Sequence, residues 1–313
     1  MNLLSHLLEN FSQNTLFFFK QELEKALIKK LPRKERLQLF YDKRSQSQVW
    51  GKVLPPGRPS KGDIEIYHHF ASKITEQNKI LILGSTAELR DLSTELAAKN
   101  YIMADFSILR AEGSLELSKQ AQADNEICIK SNLLDLPLPE NSIDFIFGDL
   151  VLWQFLPAEQ DKFLEKICSF LKPGGHFLTR THVVNLKLFP QTPNTIIEEV
   201  FSKIGVEDDT ALQITLTVSR LRDKFRDEKT KTTDPSALLN ALSAYFTRNE
   251  REARIIEKAI HLVTKRQEEK VEYVTQTEEE TELLFRKYFK VEDKKNATDY
   301  LDADFFPIYN LKK

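Results

Sequence analysis

The sequence predicts an α/β fold, namely a doubly wound, mostly parallel seven-stranded sheet with an antiparallel last strand. Three observations support this fold. Short apolar runs alternate with helical stretches from Lys79 to about residue 185. One helical stretch and two further short strands follow at 271–313. Residues 186–270, which lie between these two parts, contain helical patterns and no convincing strand, so we expect a helical insertion after the fifth strand.

The N-terminal part predicts a helical extension over residues 1–60. Its clearest helix is 15–31 (TLFFFKQELEKALIKKL), and the connector WGKVLPPGRPSKGD stops helical structure before a new helix starts near Ser60. The first twenty residues lack a basic n-region and an apolar run long enough to cross a bilayer, so we expect no signal peptide and no membrane span. Together with the scarcity of cysteine, this favours the cytoplasm.

The strands of the first α/β part are short and apolar, as is typical of parallel strands buried on both faces. In chain order they are KILIL, YIMADFS, EICIKSN, SIDFIFGD and HFLTRTHVV. The stretch GSTAELRDLSTELAAKN predicts a helix after the first strand. The stretch DKFLEKICSFLK predicts another before the fifth, and Pro173-Gly174-Gly175 should terminate it.

Three helical stretches are expected in the insertion, at about 193–204, 211–227 and 236–268, the last broken near Asn249. After it, TEEETELLFRKYF predicts a helix, and KVEDKK and DADFFPIYNLKK predict strands too short to stand alone as a hairpin. We therefore expect the final strand to rejoin the sheet beside the fifth. The predicted organisation is an extension (1–60), a core (61–185 and 271–313) and an insertion (186–270).

Composition limits the possible functions. With 41% hydrophobic and 29% charged residues, the chain can form a sizeable core, and a net charge of −2 does not favour nucleic acid. The most basic stretches, REARIIEKAIHLVTKRQEEK and SRLRDKFRDEKTKTT, alternate Lys and Arg with Glu and Asp, as solvated helix faces do. Cys128 and Cys168 stand in apolar contexts without a second ligand nearby, so we expect buried thiols and no metal site.

The loop after the first strand, L-G-S-T-A-E-L, brings backbone N–H groups and a helix start toward a ligand. Gly84 is its only glycine, which disfavours the pyrophosphate of a dinucleotide but tolerates the carboxylate and amine of a methionine-like ligand. Ser85 and Glu88 have the spacing of a capping box, an alternative to ligand binding. Asp105 ends the second strand, where an acid either accepts hydrogen bonds from ribose hydroxyls or is a solvated loop carboxylate.

The segment SNLLDLPLPENSIDFIFGDLVLWQFL, followed by a helix and LKPGGHFLTRT, resembles the class I S-adenosylmethionine-dependent methyltransferases. The resemblance covers about 58–185 and resumes at 271–313. It implies a Rossmann-like fold and S-adenosylmethionine as cofactor. The positions that it assigns to cofactor binding are Gly84 and Ser85 in the loop, Asp105 for the ribose, Asn132 and Leu133 for the adenine, and Asp149 and Leu150 near the methyl group. Arg58 either pairs with the cofactor's carboxylate or is a surface arginine.

Methyl transfer from a sulfonium requires an aligned acceptor, and a base where the acceptor is neutral. Asp149 and His182 are the candidate bases, since they follow the fourth and fifth strands. His182 is equally well explained as a packed strand residue. Trp153, just past the fourth strand, lines the acceptor pocket or belongs to the core.

The leading hypothesis is a methyltransferase that acts on a small or medium-sized acceptor enclosed by the insertion as a lid. One alternative is an RNA or protein methyltransferase, although G-D-L-V stands where amino-group methylases of macromolecules often have N-P-P-Y. Another is a cofactor-binding scaffold without catalysis. The oligomeric state stays open.

Overall fold

The computed structural model describes residues 51–96, 101–122, 124, 126–268 and 274–313, together with Leu31 and Glu35. Most of the extension predicted for 1–60, including nearly all of the helix expected at 15–31, lies outside the described residues. Within the described ranges, no helix combines the length and the apolar character needed to cross a membrane.

Seven strands form one sheet in the order β3-β2-β1-β4-β5-β7-β6. Strand β7 runs antiparallel to both of its neighbours, β5 and β6, and the other pairs are parallel. The predicted fold class is confirmed, including the place of the last strand beside the fifth. The strands are β1 Ile80–Leu83, β2 Tyr101–Asp105, β3 Glu126–Lys130, β4 Ile143–Asp149, β5 Leu171–Arg180, β6 Lys290–Lys295 and β7 Ile308–Lys312.

The sheet is covered on both faces, as the apolar character of β1 requires. Successive side chains of a strand point to opposite faces. Leu81 and Leu83 therefore pack in one apolar cluster with Phe163 and Phe285, whereas Ile80 and Ile82 pack in a second. The surrounding helices are α1 Lys61–Phe70, α2 Ala87–Glu95, α3 Ile108–Leu117, α4 Pro157–Phe170 and α10 Glu278–Arg286.

Helix α1 starts where expected, since Ser60 caps it in a capping box with Asp63. The helix before the fifth strand ends earlier than predicted, at Phe170, and β5 follows at once. The expectation that Pro173-Gly174-Gly175 terminates this helix is therefore wrong. These three residues lie inside β5, where Gly174 adopts a φ of +79° and the pairing with β4 shifts register.

The helical stretches between β5 and α10 are present where they were predicted. They include a π-helical turn, and Asn249 separates the last two helices, with its Oδ1 accepting from the Glu252 N–H. A separate apolar cluster, with Ile196, Leu242 and Ile255 among its members, holds them together. The elements are α5 Pro193–Phe201, α6 Asp209–Ile214, the π-helix Thr215–Arg220, α7 Leu221–Lys224, α8 Pro235–Ala244 and α9 Glu250–Glu268.

The two cysteines do not meet the expectation of burial. Cys128 is exposed and Cys168 is half-buried. Cys128 lies on β3, which is an edge strand, so its apolar neighbours in the sequence do not indicate a covered position.

Truncation before Tyr288 removes β6 and β7 and leaves the long strand β5 as an unpaired apolar edge. We expect insoluble protein, measured as the soluble fraction after expression beside the full chain. A soluble truncated protein that still binds S-adenosylhomocysteine would contradict this role for the last two strands.

Candidate active site

The carboxyl ends of the parallel strands meet at one edge of the sheet, where open α/β sheets bind ligands. Gly84 follows β1 at this edge with a φ of +82°, and no atom lies within 4 Å of the position that a Cβ would take. Its N–H donates to the carbonyl of Ala104 at 2.8 Å, which ties the turn to β2. The turn thus requires a left-handed residue, which glycine adopts without strain, beside open space.

Asp105, at the end of β2, is held by two hydrogen bonds and is 3% exposed. The Ser85 hydroxyl donates to its Oδ2 at 2.7 Å, and the Ser107 N–H donates to its Oδ1 at 2.9 Å. The capping-box interpretation of Ser85 and Glu88 is wrong, because Thr86 is the N-cap of α2 and makes no side-chain cap. Each carboxylate oxygen of Asp105 keeps a second lone pair with which it can accept a ribose hydroxyl.

Asn132 and Leu133 lie in a short 3-10 turn after β3. The Asn132 Oδ1 accepts from the Leu134 N–H at 2.9 Å and so caps the turn Leu133–Asp135. Leu133 is the first residue of that turn, a position whose N–H lacks an acceptor within the helix. The cap therefore fixes the backbone that the resemblance assigns to the adenine.

Arg58 and Glu88 form an ion pair beside the loop of Gly84. Both side chains are mostly covered, 26% and 16% exposed respectively. The Glu88 Oε2 is buried and has no hydrogen-bond partner in the described part of the chain. A buried carboxylate oxygen without a donor is costly, so this pair offers both an acceptor and a cation to a zwitterionic ligand.

A fully buried arginine connects the end of the sheet to α1. The Arg180 guanidinium binds Asp149 through Nε at 2.6 Å and Nη2 at 3.2 Å, and binds Asp63 through Nη1 at 2.7 Å. Nη2 also donates to the carbonyl of Pro56 at 3.1 Å. The side chains of the two acids and the arginine are at most 3% exposed.

Asp149 is the titratable member of this cluster. Burial raises its pKa to about 6, although Arg180 opposes the shift, and the nearby carboxylates of Asp63 and Glu88 raise it further. Two carboxylates share one guanidinium, so a single proton makes the cluster neutral. Asp149 is therefore built to bind a proton close to neutral pH.

Tyr67 and Leu150 hold the ends of β4 and β5 in register. The Tyr67 hydroxyl donates to the Gly148 carbonyl and accepts from the Arg180 N–H, both at 2.7 Å. The Leu150 N–H donates to the Arg180 carbonyl at 2.9 Å, and Leu150 itself has a φ of +52°. A left-handed leucine is strained, and such strain concentrates at functional sites.

His182 lies beyond β5 and contacts the helical stretch rather than the strand ends. Its ring stacks on Phe306 at 4.7 Å between centroids, and its Nε2 lies 3.3 Å from Asp223 Oδ1 in α7. The structure thus brings Asp149 into the arginine cluster and places His182 between the sheet and α7. Trp153 is half-buried, and the Arg222 guanidinium lies over its ring at 4.8 Å.

The sequence analysis did not identify Arg180 or Asp63 as site residues, and it did not predict that Arg58 pairs with Glu88. An arginine within the apolar run HFLTRTHVV was the available signal for a buried ion pair, since a buried charge is almost always paired. Nothing in the sequence identified Asp63 as its partner.

Comparisons with known proteins identify a methyltransferase domain in the part of the chain that contains most of these residues. Residues 85–179 match the family model for a methyltransferase domain, and none of the curated proteins matches the chain. This match, together with the strand order of the sheet, indicates a methyltransferase domain over these residues. Among the described residues, no cluster of three or more His, Cys, Asp or Glu side chains could hold a metal ion.

Among solved structures, the fold is shown by a Rhodobacter sphaeroides protein named for zinc-dependent alcohol dehydrogenases. It is 15% identical, the alignment covers 87% of this chain and 96% of that one, and the TM-score is 0.55. A Burkholderia thailandensis 1,6-didemethyltoxoflavin-N1-methyltransferase is also similar, at 12% identity, 93% and 89% coverage and a TM-score of 0.49. So is an S-adenosylmethionine-dependent methyltransferase from Mesorhizobium loti, at 14% identity, 79% and 97% coverage and a TM-score of 0.43.

Replacing Asp105 by Ala should weaken the binding of S-adenosylhomocysteine by about 1–3 kcal/mol, because ribose hydroxyls lose a charged acceptor. Calorimetry on the two proteins measures this change, and NAD should not bind to either. Ser85→Ala is the matched control, since it removes only the hydroxyl that orients Asp105 and should cost less. Tighter binding of NAD than of S-adenosylhomocysteine would overturn the assignment of the pocket.

The raised pKa of Asp149 predicts a pH dependence of stability. Between its ordinary value of 3.8 and about 6, the folded chain binds a proton that the unfolded chain has released. This contribution is present at pH 4 and is lost as the pH rises through 6. Relative to Asp149→Asn, the free energy of unfolding of the wild type should fall by about 2 kcal/mol from pH 4 to pH 7, as urea titrations would measure. Parallel pH profiles would show that Asp149 does not titrate in this range.

Proposed function

We propose that this methyltransferase acts on a small or medium-sized acceptor enclosed by the helices of residues 186–268, here termed the cover segment. The observation that carries the proposal is the position of the cover segment. It follows β5 in the chain and contacts residues that lie just after the ends of β4 and β5. Ligands of open α/β sheets bind at that edge. An acceptor bound at that edge would therefore lie between the strand ends and these helices.

Three contacts support this placement. The Asn185 N–H, just after β5, donates to Asp223 Oδ2 of α7 at 2.9 Å. After β4, Trp153 lies beneath the Arg222 guanidinium. Before β7, Asp302 receives two hydrogen bonds from Arg220, at 2.7 and 2.8 Å. The π-helix and α7 thus fasten the cover segment to the sheet, and α8 and α9 pack on its outer side through their own apolar cluster.

The residues at the sheet edge fit the cofactor. Asp105 would bind the ribose hydroxyls, and the turn of Asn132 and Leu133 would bind the adenine. Gly84 leaves space beside the backbone, and Ser85 orients Asp105.

Arg58 and Glu88 would bind the two charged groups of the amino acid end. A guanidinium suits the cofactor's carboxylate, and the Glu88 Oε2, buried without a donor, suits its ammonium group. Their ion pair would then open to admit the zwitterion.

When bound, the cofactor supplies a methyl group on a positively charged sulfur. The acceptor atom forms a bond to that carbon while the carbon–sulfur bond breaks, so S-adenosylhomocysteine leaves. A neutral acceptor also loses a proton, and we assign this proton to Asp149 at the end of β4, where Leu150 completes the turn. Its pKa near 6 suits a general base at neutral pH. His182, packed between Phe306 and Asp223, is better placed to fasten the cover segment.

An enclosed acceptor predicts that labelled methyl groups appear in small molecules only. The full chain and S-adenosylmethionine with a labelled methyl group would be incubated with a cell extract, which is then separated into RNA, protein and small-molecule fractions. We expect label in the small-molecule fraction, and loss of that label with Asp149→Asn. Label in RNA or protein would support a macromolecular acceptor instead. Binding of S-adenosylhomocysteine without any transfer would support the scaffold alternative.

A further inference from the structure

The two edges of the sheet are built differently. An edge strand presents a row of unpaired N–H and C=O groups, which proteins usually protect with charged side chains, bulges or a covering element. Strand β6 is protected in this way, because it is charged at every position except Val291 and its pairing with β7 shifts register between Val291 and Asp293. Strand β3 is the edge on the other side, and among the described strands β2 is its single neighbour.

The centre of β3 is apolar and exposed. Ile127 is 56% exposed, and Cys128 beside it is exposed as well. The two charged residues of the strand, Glu126 and Lys130, stand at its ends and leave this centre without a charge. An edge strand of this kind is a template for pairing with another strand.

The register of β3 on β2 shows which of its backbone groups face outward. Lys130 pairs with Asp105, and the Ser131 N–H donates to the Asp105 carbonyl at 3.0 Å. Successive residues of a strand direct their N–H and C=O groups to opposite sides. Ser131 and every second residue before it therefore face β2. The residues whose backbone groups face outward are Glu126, Cys128 and Lys130.

The sequence of this strand, EICIK, is complementary to itself in the antiparallel direction. With a two-fold axis at Cys128, every outward N–H of one strand lies opposite an outward C=O of the other, so the hydrogen-bond ladder is complete. Glu126 then lies opposite Lys130 of the second copy, and Ile127 lies opposite Ile129, so like charges do not meet and apolar side chains do. A shift by one residue would place inward-facing backbone groups opposite outward ones. A second copy of this chain is thus the occupant that the edge fits.

Strand β3 is also held rigidly in place. The Arg90 guanidinium binds the Glu126 carboxylate, with its Nε at 2.7 Å, and donates to the Ala111 carbonyl of α3 at 2.6 Å. The side chains of this ion pair are at most 4% exposed. A strand fixed in this way loses little conformational freedom when it pairs, which favours association.

We propose that two copies of this chain pair antiparallel through β3, with the two-fold axis at Cys128, so that their two sheets join into one continuous sheet. The interface is isologous, since each copy offers the same strand to the other. It uses the backbone edge of β3 and needs no residue of the proposed active site.

Analytical ultracentrifugation of the full chain over a concentration series measures the assembly directly. We expect a reversible dimer of twice 36.3 kDa with a Kd in the micromolar range. Cys128→Pro removes the N–H at the two-fold axis, and because this N–H faces away from β2 the sheet itself loses no hydrogen bond. This variant should raise the Kd at least tenfold, whereas Cys128→Ser, which keeps the N–H, should change it less than twofold. A wild type that stays monomeric to about 100 μM, well above such a Kd, or equal weakening by both variants, would overturn the proposal.

Ile127→Lys and Leu283→Lys form a second matched pair, since each replaces an exposed apolar side chain by a lysine. Leu283 is 60% exposed on α10, which contacts β6 at the other edge of the sheet. A lysine at the centre of an edge strand opposes strand pairing. We expect Ile127→Lys to raise the Kd at least tenfold and Leu283→Lys to change it less than twofold, with both variants folded by circular dichroism. A folded Ile127→Lys variant that dimerises like the wild type would refute the interface.

Cross-linking tests the position of the two-fold axis. In a Cys168→Ser background Cys128 is the one remaining cysteine, and it would face its own copy at a Cα separation of about 5.5 Å. Dibromobimane, which bridges two adjacent thiols, should link the two chains, and Cys128→Ser in the same background should abolish the link. A dimer that is not linked would show that another surface holds the copies together. A monomer whose Cys128 reacts slowly with a maleimide would show that β3 is covered within one chain, and either result would refute the proposal.

Discussion

The buried guanidinium of Arg180 is the interaction on which the arrangement of this site depends. It joins Asp149 at the end of β4 to Asp63 in the first turn of α1, and it binds the Pro56 carbonyl in the preceding connector. Removing one partner from such a buried cluster typically costs 3–5 kcal/mol, because the remaining charge stays in a medium that solvates it poorly. Loss of the arginine would leave two carboxylates facing each other without a cation.

The backbone of Arg180 contributes as much as its side chain. Its N–H binds Tyr67 and its carbonyl binds the Leu150 N–H, so one residue sets the positions of two strand ends and one helix. These constraints hold the Asp149 carboxylate at a fixed distance from the turn that follows it. The cover segment differs, because it has its own apolar cluster and meets the sheet through polar contacts at α7 and the π-helix. The strand ends are thus fixed by buried contacts, whereas the cover segment folds around an apolar cluster of its own.

Much of the fold follows from local patterns, whereas much of the site does not. The alternation of apolar runs and helices predicts the sheet, and the shortness of the last two strands predicts that β7 pairs with β5. Local patterns do not predict whether a strand lies at the edge of the sheet. The apolar run around Cys128 resembles the central strands, and only the strand order shows that this residue is exposed. The sequence predicted that Ser85 either binds the ligand or caps a helix with Glu88, and only the folded chain shows that its hydroxyl binds Asp105. Arg180 and Asp63 are far apart in sequence, so no local spacing could have paired them.

The position of β7 has a consequence for how the chain folds. Strand β5 pairs with β7, and the paired residues His176 and Lys312 are separated in sequence by the whole cover segment. Closing so long a loop is entropically costly, and pairings of this kind slow folding. Early folding of the cover segment around its own apolar cluster would shorten the effective loop. A mutation in α8 or α9 that destabilised this cluster would therefore also delay closure of the sheet, and β5 would stay exposed to aggregation for longer.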